Sequence, residues 1–491
     1  MKTKSLKRSG AVMAFLVALA VVEASSYKSF NVLFIAVDDL NDYPSLLQDF
    51  PGIQTPNLDK FAEESITFTN AHCGGPICNP SRTSLLTGLA PHVTGVYDNG
   101  DHWTMSEEAN AAVSLPEAFK AAGYTTYWAG KLYHPLSTPY QARLEATWNE
   151  TGTNVPGEMW DGSCTIAPFG PGLPKGYGVV DPPAQFPDVA NVALVRSWLK
   201  QQFDAPFFMS IGIIRPHSPF TAPKKYFDLY PLDTLSNPPG YWTDDLKDLP
   251  GKRASGGKKV RALREKGRMK EILQAYLACV SFADDSTGGV LRALENSAHK
   301  DNTIIFLWAD HGYHLGEKDH LGKTTLWEQS TRNLLMVKLP GGRRGIKIDE
   351  PVSLLDIFPT LLELCSLPAV PQNLSGESLV DLMVGREEKR SAPVLTDGAA
   401  GSHTVRDTRW RYIRYADGGE ELYDHEKDPH EWKNLANDPV YSNVIAELKK
   451  WIPSEFKAPV GPTSEPGFEE WRTARKETDQ NFIVFGDYSH P

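Results

Sequence analysis

Asn31-Val-Leu-Phe-Ile-Ala-Val37, followed at once by Asp38-Asp39, is the stretch that decides the fold. From Val32 to Val37 every residue is apolar, with no polar alternation, which is the pattern of a central strand covered on both faces. Two carboxylates close it. Asn302-Thr-Ile-Ile-Phe-Leu-Trp308 repeats the pattern and ends in Asp310-His311.

Working outward, helices and strands alternate. Thr55-Pro56 reads as a helix start, with Thr55 as cap and Pro56 at the first position. Ser114-Leu-Pro-Glu117 opens a helix that stops at Gly123, before the strand Tyr124–Ala129. A helix over 190–201 precedes the strand Phe207–Ile214, and Lys270–Leu294 has helical period, weakened at Gly288-Gly289. Leu334–Leu339 reads as a strand and Ser353–Leu364 as a helix. This alternation predicts an α/β fold with a mixed, mostly parallel central sheet flanked by helices. In such sheets ligands bind at the carboxyl ends of the strands, where Asp38, Asp39, Asp310 and His311 all fall.

The domain reading has three parts. Residues 1–24 are a leader, 25–385 a catalytic domain and 386–491 a smaller C-terminal α+β subdomain. Residues 232–270, rich in Pro, Gly, Lys and Asp, read as a long surface insertion. Val405–Tyr415 and Glu420–Tyr423 read as short antiparallel strands, followed by a helix over 441–451. Within the leader, Lys2, Lys4, Lys7 and Arg8 precede an apolar run from Ala11 to Val22, and Val22-Glu23-Ala24 offers a cleavage site. This is the pattern of a secretory signal peptide, giving a secreted or periplasmic protein with no stable membrane insertion after cleavage.

The chain has 491 residues and a formal charge of −11, with 41% hydrophobic residues. Those values describe a globular protein with a large core. The acidic balance argues against nucleic-acid binding, where a basic footprint is expected. It leaves room for an anionic substrate, which needs only a local cluster of positive groups. Five cysteines, Cys73, Cys78, Cys164, Cys279 and Cys365, are too scattered for a disulfide framework, and the odd count leaves at least one without an intramolecular partner.

Cys78-Asn-Pro-Ser-Arg82, continuing to Leu86-Thr-Gly88, carries the chemistry. The string resembles the maturation motif of the type I, formylglycine-dependent sulfatases, which have an alkaline-phosphatase-like fold. The resemblance runs from about residue 30 to about residue 437, where Glu421-Leu-Tyr-Asp424 and Asp428-Pro-His-Glu431 are similar to the family's C-terminal subdomain. It implies that Cys78 is oxidised after translation to formylglycine (3-oxoalanine) by a formylglycine-generating or sulfatase-maturating enzyme. One hydroxyl of the hydrated aldehyde would attack sulfur, and the second would let the covalent sulfate leave by collapse to the aldehyde. Arg82, one turn after Cys78, is expected to hold the hydrate. Asp38, Asp39, Asp310 and His311, with the oxygen at residue 78, would hold one divalent metal, Ca²⁺ in preference to Mg²⁺. The Asp-His form of the second pair departs from the commoner Asp-Asn and is similar to the iduronate-2-sulfatase branch and its bacterial polysaccharide relatives.

The basic residues follow the same resemblance. Lys131 and Lys323 are placed on the sulfate oxygens. His134 assists sulfate release, and His217, in Arg215-Pro-His217, is the acid for the leaving alcohol. The substrate implied is a sulfated carbohydrate, an algal polysaccharide such as ulvan or a glycosaminoglycan uronate 2-sulfate. Two other readings stand beside it: a phosphodiesterase or phosphatase on the same scaffold, which would place Ser or Thr where Cys78 is, and a catalytically dead carbohydrate-binding relative. Trp103, Tyr313, His314 and His320 are either a sugar subsite or packing residues.

Overall fold

In a computed structural model, which describes residues 30–461 except 48–49, 102, 135–140, 153–175, 182–185, 243–244 and 252–256, the run Asn31–Val37 forms strand β1 with every residue buried. The expected leader and Cys164 lie outside the described residues.

The other elements that matter for the site follow in chain order. They are α1 (Pro56–Glu64), β2 (Ile66–His72), α2 (Cys78–Thr87), α3 (Leu115–Ala121), β3 (Thr125–Gly130), β4 (Glu150–Thr151), α4 (Pro187–Trp198), β5 (Phe207–Ile213), α5 (Lys258–Glu265), α6 (Met269–Glu295), β6 (Thr303–Ala309), β7 (Arg332–Lys338), β8 (Ile346–Ile348), β9 (Val352–Ser353) and α7 (Ile357–Leu364). The nine-stranded sheet runs β8-β2-β7-β6-β1-β5-β3-β4, with β9 also paired to β2. Only β7 runs antiparallel to its neighbours, β6 and β2. The sheet is therefore mixed and mostly parallel, as the alternation predicts.

β1 lies at the centre, and its two faces feed two cores. Leu33, Ile35 and Val37 pack with α1, α4 and α6, through residues such as Phe61, Trp198 and Tyr276. Val32, Phe34 and Ala36 pack with α2, α3 and α7, through Leu85, Phe119 and Phe358. Alternate residues thus enter opposite layers, which is why the strand carries no polar position.

Four expectations need correction. Thr55 stands at the N-terminus of α1 but its side chain makes no capping bond. Asp284 of α6 takes the role, accepting from the backbone of Asn57 at 3.1 Å and of Leu58 at 2.8 Å. A carboxylate suits the positive end of a helix better than a hydroxyl does. Gly288-Gly289 does not weaken α6, which is continuous over 27 residues. A Cβ at Gly288 would lie 2.1 Å from Asn57 Oδ1, so the glycine lets α1 approach. Residues 232–270 are not merely a surface insertion: Val260 and Leu263 of α5 are fully buried in the main core, and Leu249 joins Leu326, Trp327, Ile413 and Tyr423 in a smaller cluster. The stretch Val405–Tyr415 contributes two strands, because the chain turns at Asp407–Arg409.

Those strands belong to a second, four-stranded antiparallel sheet: β10 (Val394–Asp397), β11 (His403–Arg406), β12 (Trp410–Arg414) and β13 (Glu420–Asp424). Helix α8 (Ser442–Lys449) covers one face through Leu448 against Val405, Tyr412 and Leu422. On the other side Arg411, fully buried, reaches Glu431 at 2.5 Å, the carbonyl of Leu326 at 3.1 Å, and Glu328. Glu328, Glu431 and His425 lie close enough to share a ligand, but the carboxylates are taken by Arg411 and Arg406. This is an ion-pair network fastening the small sheet to the segment between β6 and β7. Arg411→Ala should lower the unfolding free energy by about 3–5 kcal/mol, because it leaves buried carboxylates uncompensated. Denaturant unfolding monitored by fluorescence checks this, and a loss under about 1 kcal/mol would refute the account.

Candidate active site

The site is built where four adjacent strands end. The parallel register pairs Val37 with Ala309 and with Ile213, so Asp38 and Asp310 leave neighbouring strands at one level. Gly130 pairs with Gly212, which puts Lys131 beside them. A Cβ at Gly212 would lie 2.0 Å from the Lys131 carbonyl oxygen, so only glycine permits this crossing. Asp39 then turns the chain with φ +61°, a left-handed conformation that Asp tolerates better than most residues. The amide of Asp39 donates to Asp310 Oδ1 at 3.0 Å, and Tyr276 of α6 donates to the Asp39 carbonyl at 2.7 Å.

Cys78 is the first residue of α2 and is fully buried, with its thiol at the positive end of the helix. Its Sγ lies 3.0 Å from Lys323 Nζ, 3.5 Å from Lys131 Nζ, 3.4 Å from His311 Nε2, and 3.7 and 3.8 Å from Asp38 and Asp39. His134 is also in hydrogen-bond contact with it. Burial pushes the thiol up, but Lys131, Lys323 and His311 more than offset this and hold it well below its ordinary value. Burial dominates at Cys279 and Cys365, both pushed up to about 12, and likewise raises Cys73. All four are free thiols.

Ligand atoms of Asp38, Asp39, Cys78, Asp310 and His311 lie within 4.8 Å of one another, all buried. The donor set fits a divalent cation with hard oxygen ligands. His311 Nδ1 sits 2.9 Å from the Gly312 carbonyl, which leaves Nε2 facing the carboxylates, the usual orientation of a metal-binding imidazole. Burial pushes Asp310 up to about 7 in spite of Arg82 and His311. Asp38 behaves differently: burial raises it, but Lys131 at 2.5 Å, with His217 and Arg82, holds it well below the carboxylate range. Lys323 forms an ion pair with Asp39.

Arg82, expected on the hydrate, is held by two carboxylates and two carbonyls. It spans Asp310 at 2.9 Å and Asp38 at 3.2 Å, and also donates to the carbonyls of Lys131 and Leu132. It therefore fixes the two carboxylates and the turn after β3 at once. His134 is half-buried, and desolvation pushes its imidazole down, so it stands neutral beside the thiol. His217 is half-buried at the rim, with Nδ1 at 2.7 Å from the Ser218 carbonyl. A small cavity beside α2 is lined by Asn79, Thr83, Trp103, Tyr133 and His134.

Of the residues weighed as a sugar subsite, Tyr313 is packed between Phe220 and Tyr276, and His314 is fully buried against Thr325 at 2.7 Å. Both are packing residues; Trp103 is buried but faces the cavity. Sequence reasoning missed Tyr276, which holds the Asp39 turn, and Asp188, which accepts from the amides of Ile214 at 2.7 Å and Arg215 at 3.1 Å and so shapes the loop bearing His217. Tyr276 reads as one more apolar position of an amphipathic helix, and Asp188 as an acid in the first turn of α4. Neither carries a local signal.

Comparison with known proteins bears on this geometry. The sulfatase family model matches residues 30–367, and that for the C-terminal region of N-sulphoglucosamine sulphohydrolase matches residues 316–457. A sulfatase of Formosa agariphila is 39% identical over 471 residues, 90% of each chain. The iduronate 2-sulfatase of Mus musculus is 29% identical over 71% of each chain. An ulvan-active sulfatase of Formosa agariphila is 28% identical over 85% of this chain and 79% of its own. The phosphonate monoester hydrolase of Agrobacterium radiobacter superposes with a TM-score of 0.70 at 21% identity, over 86% of this chain and 94% of its own. At that identity the likeness is one of fold, the alkaline-phosphatase-like fold.

The depressed thiol gives a direct test. In protein made without a maturating enzyme, Cys78 should lose its proton at a lower pH than an ordinary thiol does. The ultraviolet thiolate absorbance of the wild type, minus that of Cys78→Ala, reads this. Coincident spectra at neutral pH would contradict the electrostatics described.

Proposed function

This chain belongs to the sulfatase family, and from that premise we propose that it is a secreted or periplasmic enzyme removing sulfate from a sulfated carbohydrate through a formylglycine at position 78. The observation that carries the reading is the position of Cys78 Sγ, within 3.5 Å of Lys131, Lys323 and His311 and beside the carboxylates of Asp38 and Asp39. Residue 78 is the only thiol in this cluster among the described residues.

The hydrated aldehyde supplies a hydroxyl to attack sulfur and a second one whose deprotonation releases sulfate. A divalent cation held by Asp38, Asp39, Asp310 and His311, Ca²⁺ ahead of Mg²⁺, would offset charge developing on the sulfate oxygens. The chain's own groups do the rest. Lys131 and Lys323 converge on residue 78 from two loops, so an anionic ester entering the site meets two ammonium groups aimed at one point. Arg82 bridges Asp38 and Asp310 and so fixes their spacing beside residue 78. His134, neutral and touching residue 78, can take the proton from the second hydroxyl. His217, at the rim, can give one to the leaving alcohol.

Cys78 is fully buried, so a formylglycine-generating or sulfatase-maturating enzyme must meet Cys78–Arg82 before α2 packs. The leader 1–24 supplies the export expected of such a protein, and no described helix is long and apolar enough to cross a membrane. The substrate class we favour is an algal polysaccharide such as ulvan, in keeping with the ulvan-active relative; a uronate 2-sulfate of glycosaminoglycans is the second choice, in keeping with the iduronate 2-sulfatase relative.

Cys78→Ala should abolish sulfate release from a sulfated oligosaccharide while leaving the melting temperature unchanged, and Cys78→Ser should leave little activity because a single hydroxyl cannot collapse to an aldehyde. Ion chromatography of released sulfate, with mass spectrometry of the peptide containing residue 78, reads both points; conversion of the thiol costs about 18 Da. Turnover by the alanine variant would sink the covalent mechanism.

His217→Ala separates acid catalysis from binding. It should slow sugar sulfates by about 10²–10⁴-fold and 4-nitrophenyl sulfate far less, since a phenolate leaves without full protonation. Equal losses on both esters would place the acid elsewhere, with His134 next to be tested.

A further inference from the structure

In a chain of net charge −11, residues 257–270 carry seven Lys or Arg against a single acid, Glu265. Helix α5 turns Val260 and Leu263 into the core and leaves Arg261 exposed, with Lys266 and Lys270 exposed just beyond it. The helix starts against the loop that leads to Lys323: the Gly257 amide donates to the Asp319 carbonyl at 3.0 Å, and Arg264 pairs with the Asp319 carboxylate at 2.5 Å.

An aromatic surface continues from there. The Arg264 guanidinium lies over the Tyr241 ring at 5.3 Å. Tyr241 packs on Gly316, where a Cβ would meet its ring at 3.4 Å. Trp432 donates from Nε1 to the Gly240 carbonyl at 2.9 Å, which fixes the indole, and its ring meets Trp242 at 5.9 Å edge-on and His430 at 4.9 Å. Both tryptophans are large apolar groups left in solvent, 46% and 37% exposed. Two exposed indoles, one held by a hydrogen bond, beside the Tyr241 that meets the basic helix through Arg264, are an unusual use of surface.

From this juxtaposition we infer that Trp242, Trp432, Arg261 and Lys266 form a ledge that binds a further stretch of a sulfated polysaccharide, outside the site that cleaves the ester. The occupant follows from the chemistry. Pyranose rings offer C–H faces to indoles, and sulfates spaced along the chain match the spaced cations. Nucleic acid would also meet the charge, but the polyanionic surface of the remaining chain opposes a long rigid duplex. The inference rests on the sulfated-carbohydrate reading and narrows it to a polymer: the ledge and the site are joined by the loop that carries Asp319 and Lys323, so one chain engaging both gains affinity by linkage.

Two double variants test this, Trp242→Ala with Trp432→Ala, and Arg261→Glu with Lys266→Glu. All four side chains lie outside the catalytic set. Each double variant should keep 4-nitrophenyl sulfate turnover within about twofold and lose about tenfold or more in kcat/KM on polymeric ulvan, through KM. The charge-reversal loss should shrink as salt is raised. Binding is read separately by affinity electrophoresis in gels cast with ulvan or with unsulfated dextran, with a duplex DNA competitor. Retardation by ulvan alone, abolished in both variants, supports the ledge even if no substrate is turned over. Unchanged polymer kinetics and migration in both variants, or displacement by DNA at equal charge concentration, would overturn it. Loss of aryl sulfate turnover in the wild type as well would count against the sulfatase mechanism and not against the ledge.

Discussion

The arrangement depends on one buried interaction, the Arg82 guanidinium between Asp38 and Asp310. These groups are 0–1% exposed and sit at the ends of two adjacent parallel strands. Carboxylates brought this close repel, and burial removes the water that would screen them. Arg82 suits the task because its planar fork can serve two carboxylates and two carbonyls at once, where an ammonium could not. With that clamp in place the strand ends hold a fixed spacing.

The same constraint explains why the two lysines matter beyond their own contacts. Lys131 and Lys323 come from loops on opposite sides of β1, and each is drawn in by one of the aspartates. The carboxylates therefore set the positions of the groups that would bind the substrate anion. Cys78, at the start of α2, stands where these fields meet, and its depressed thiol is the electrostatic signature of that position. Perturbed acid–base behaviour gathered at one cleft of an α/β sheet is what a reactive centre requires.

Farther out, the small C-terminal sheet contributes order and a border rather than reacting groups. Arg411 and Glu431 fasten it to the segment after the loop bearing Lys323, and Lys318 of that loop pairs with Asp245 at 2.7 Å while also meeting the Glu431 carbonyl. Gly240, Asp245 and Leu249, the loop 316–323 and the small sheet are thus held as one unit beside the catalytic centre. Truncating the chain before this sheet would loosen Lys323 as well as the surface.

By itself the sequence determined the alternation behind the sheet, the strand ends and the residues that gather there. Short unbroken apolar runs set between helices read as doubly covered strands, and their Asp-Asp and Asp-His endings then lie at the sheet's carboxyl edge, since strand direction fixes which end is which. The motif around Cys78 is legible for a similar reason, as its parts are contiguous. What only the tertiary structure decided are relations between residues far apart in the chain. That Arg82 serves Asp38 and Asp310, that Asp284 caps α1 in place of Thr55, and that Tyr276 holds the Asp39 turn depend on packing across 44, 228 and more residues. Local periodicity records how a segment divides between core and solvent. It does not record which segment lies opposite, so Tyr276 reads as core, residues 232–270 read as surface, and the partners of both are fixed only when the layers close.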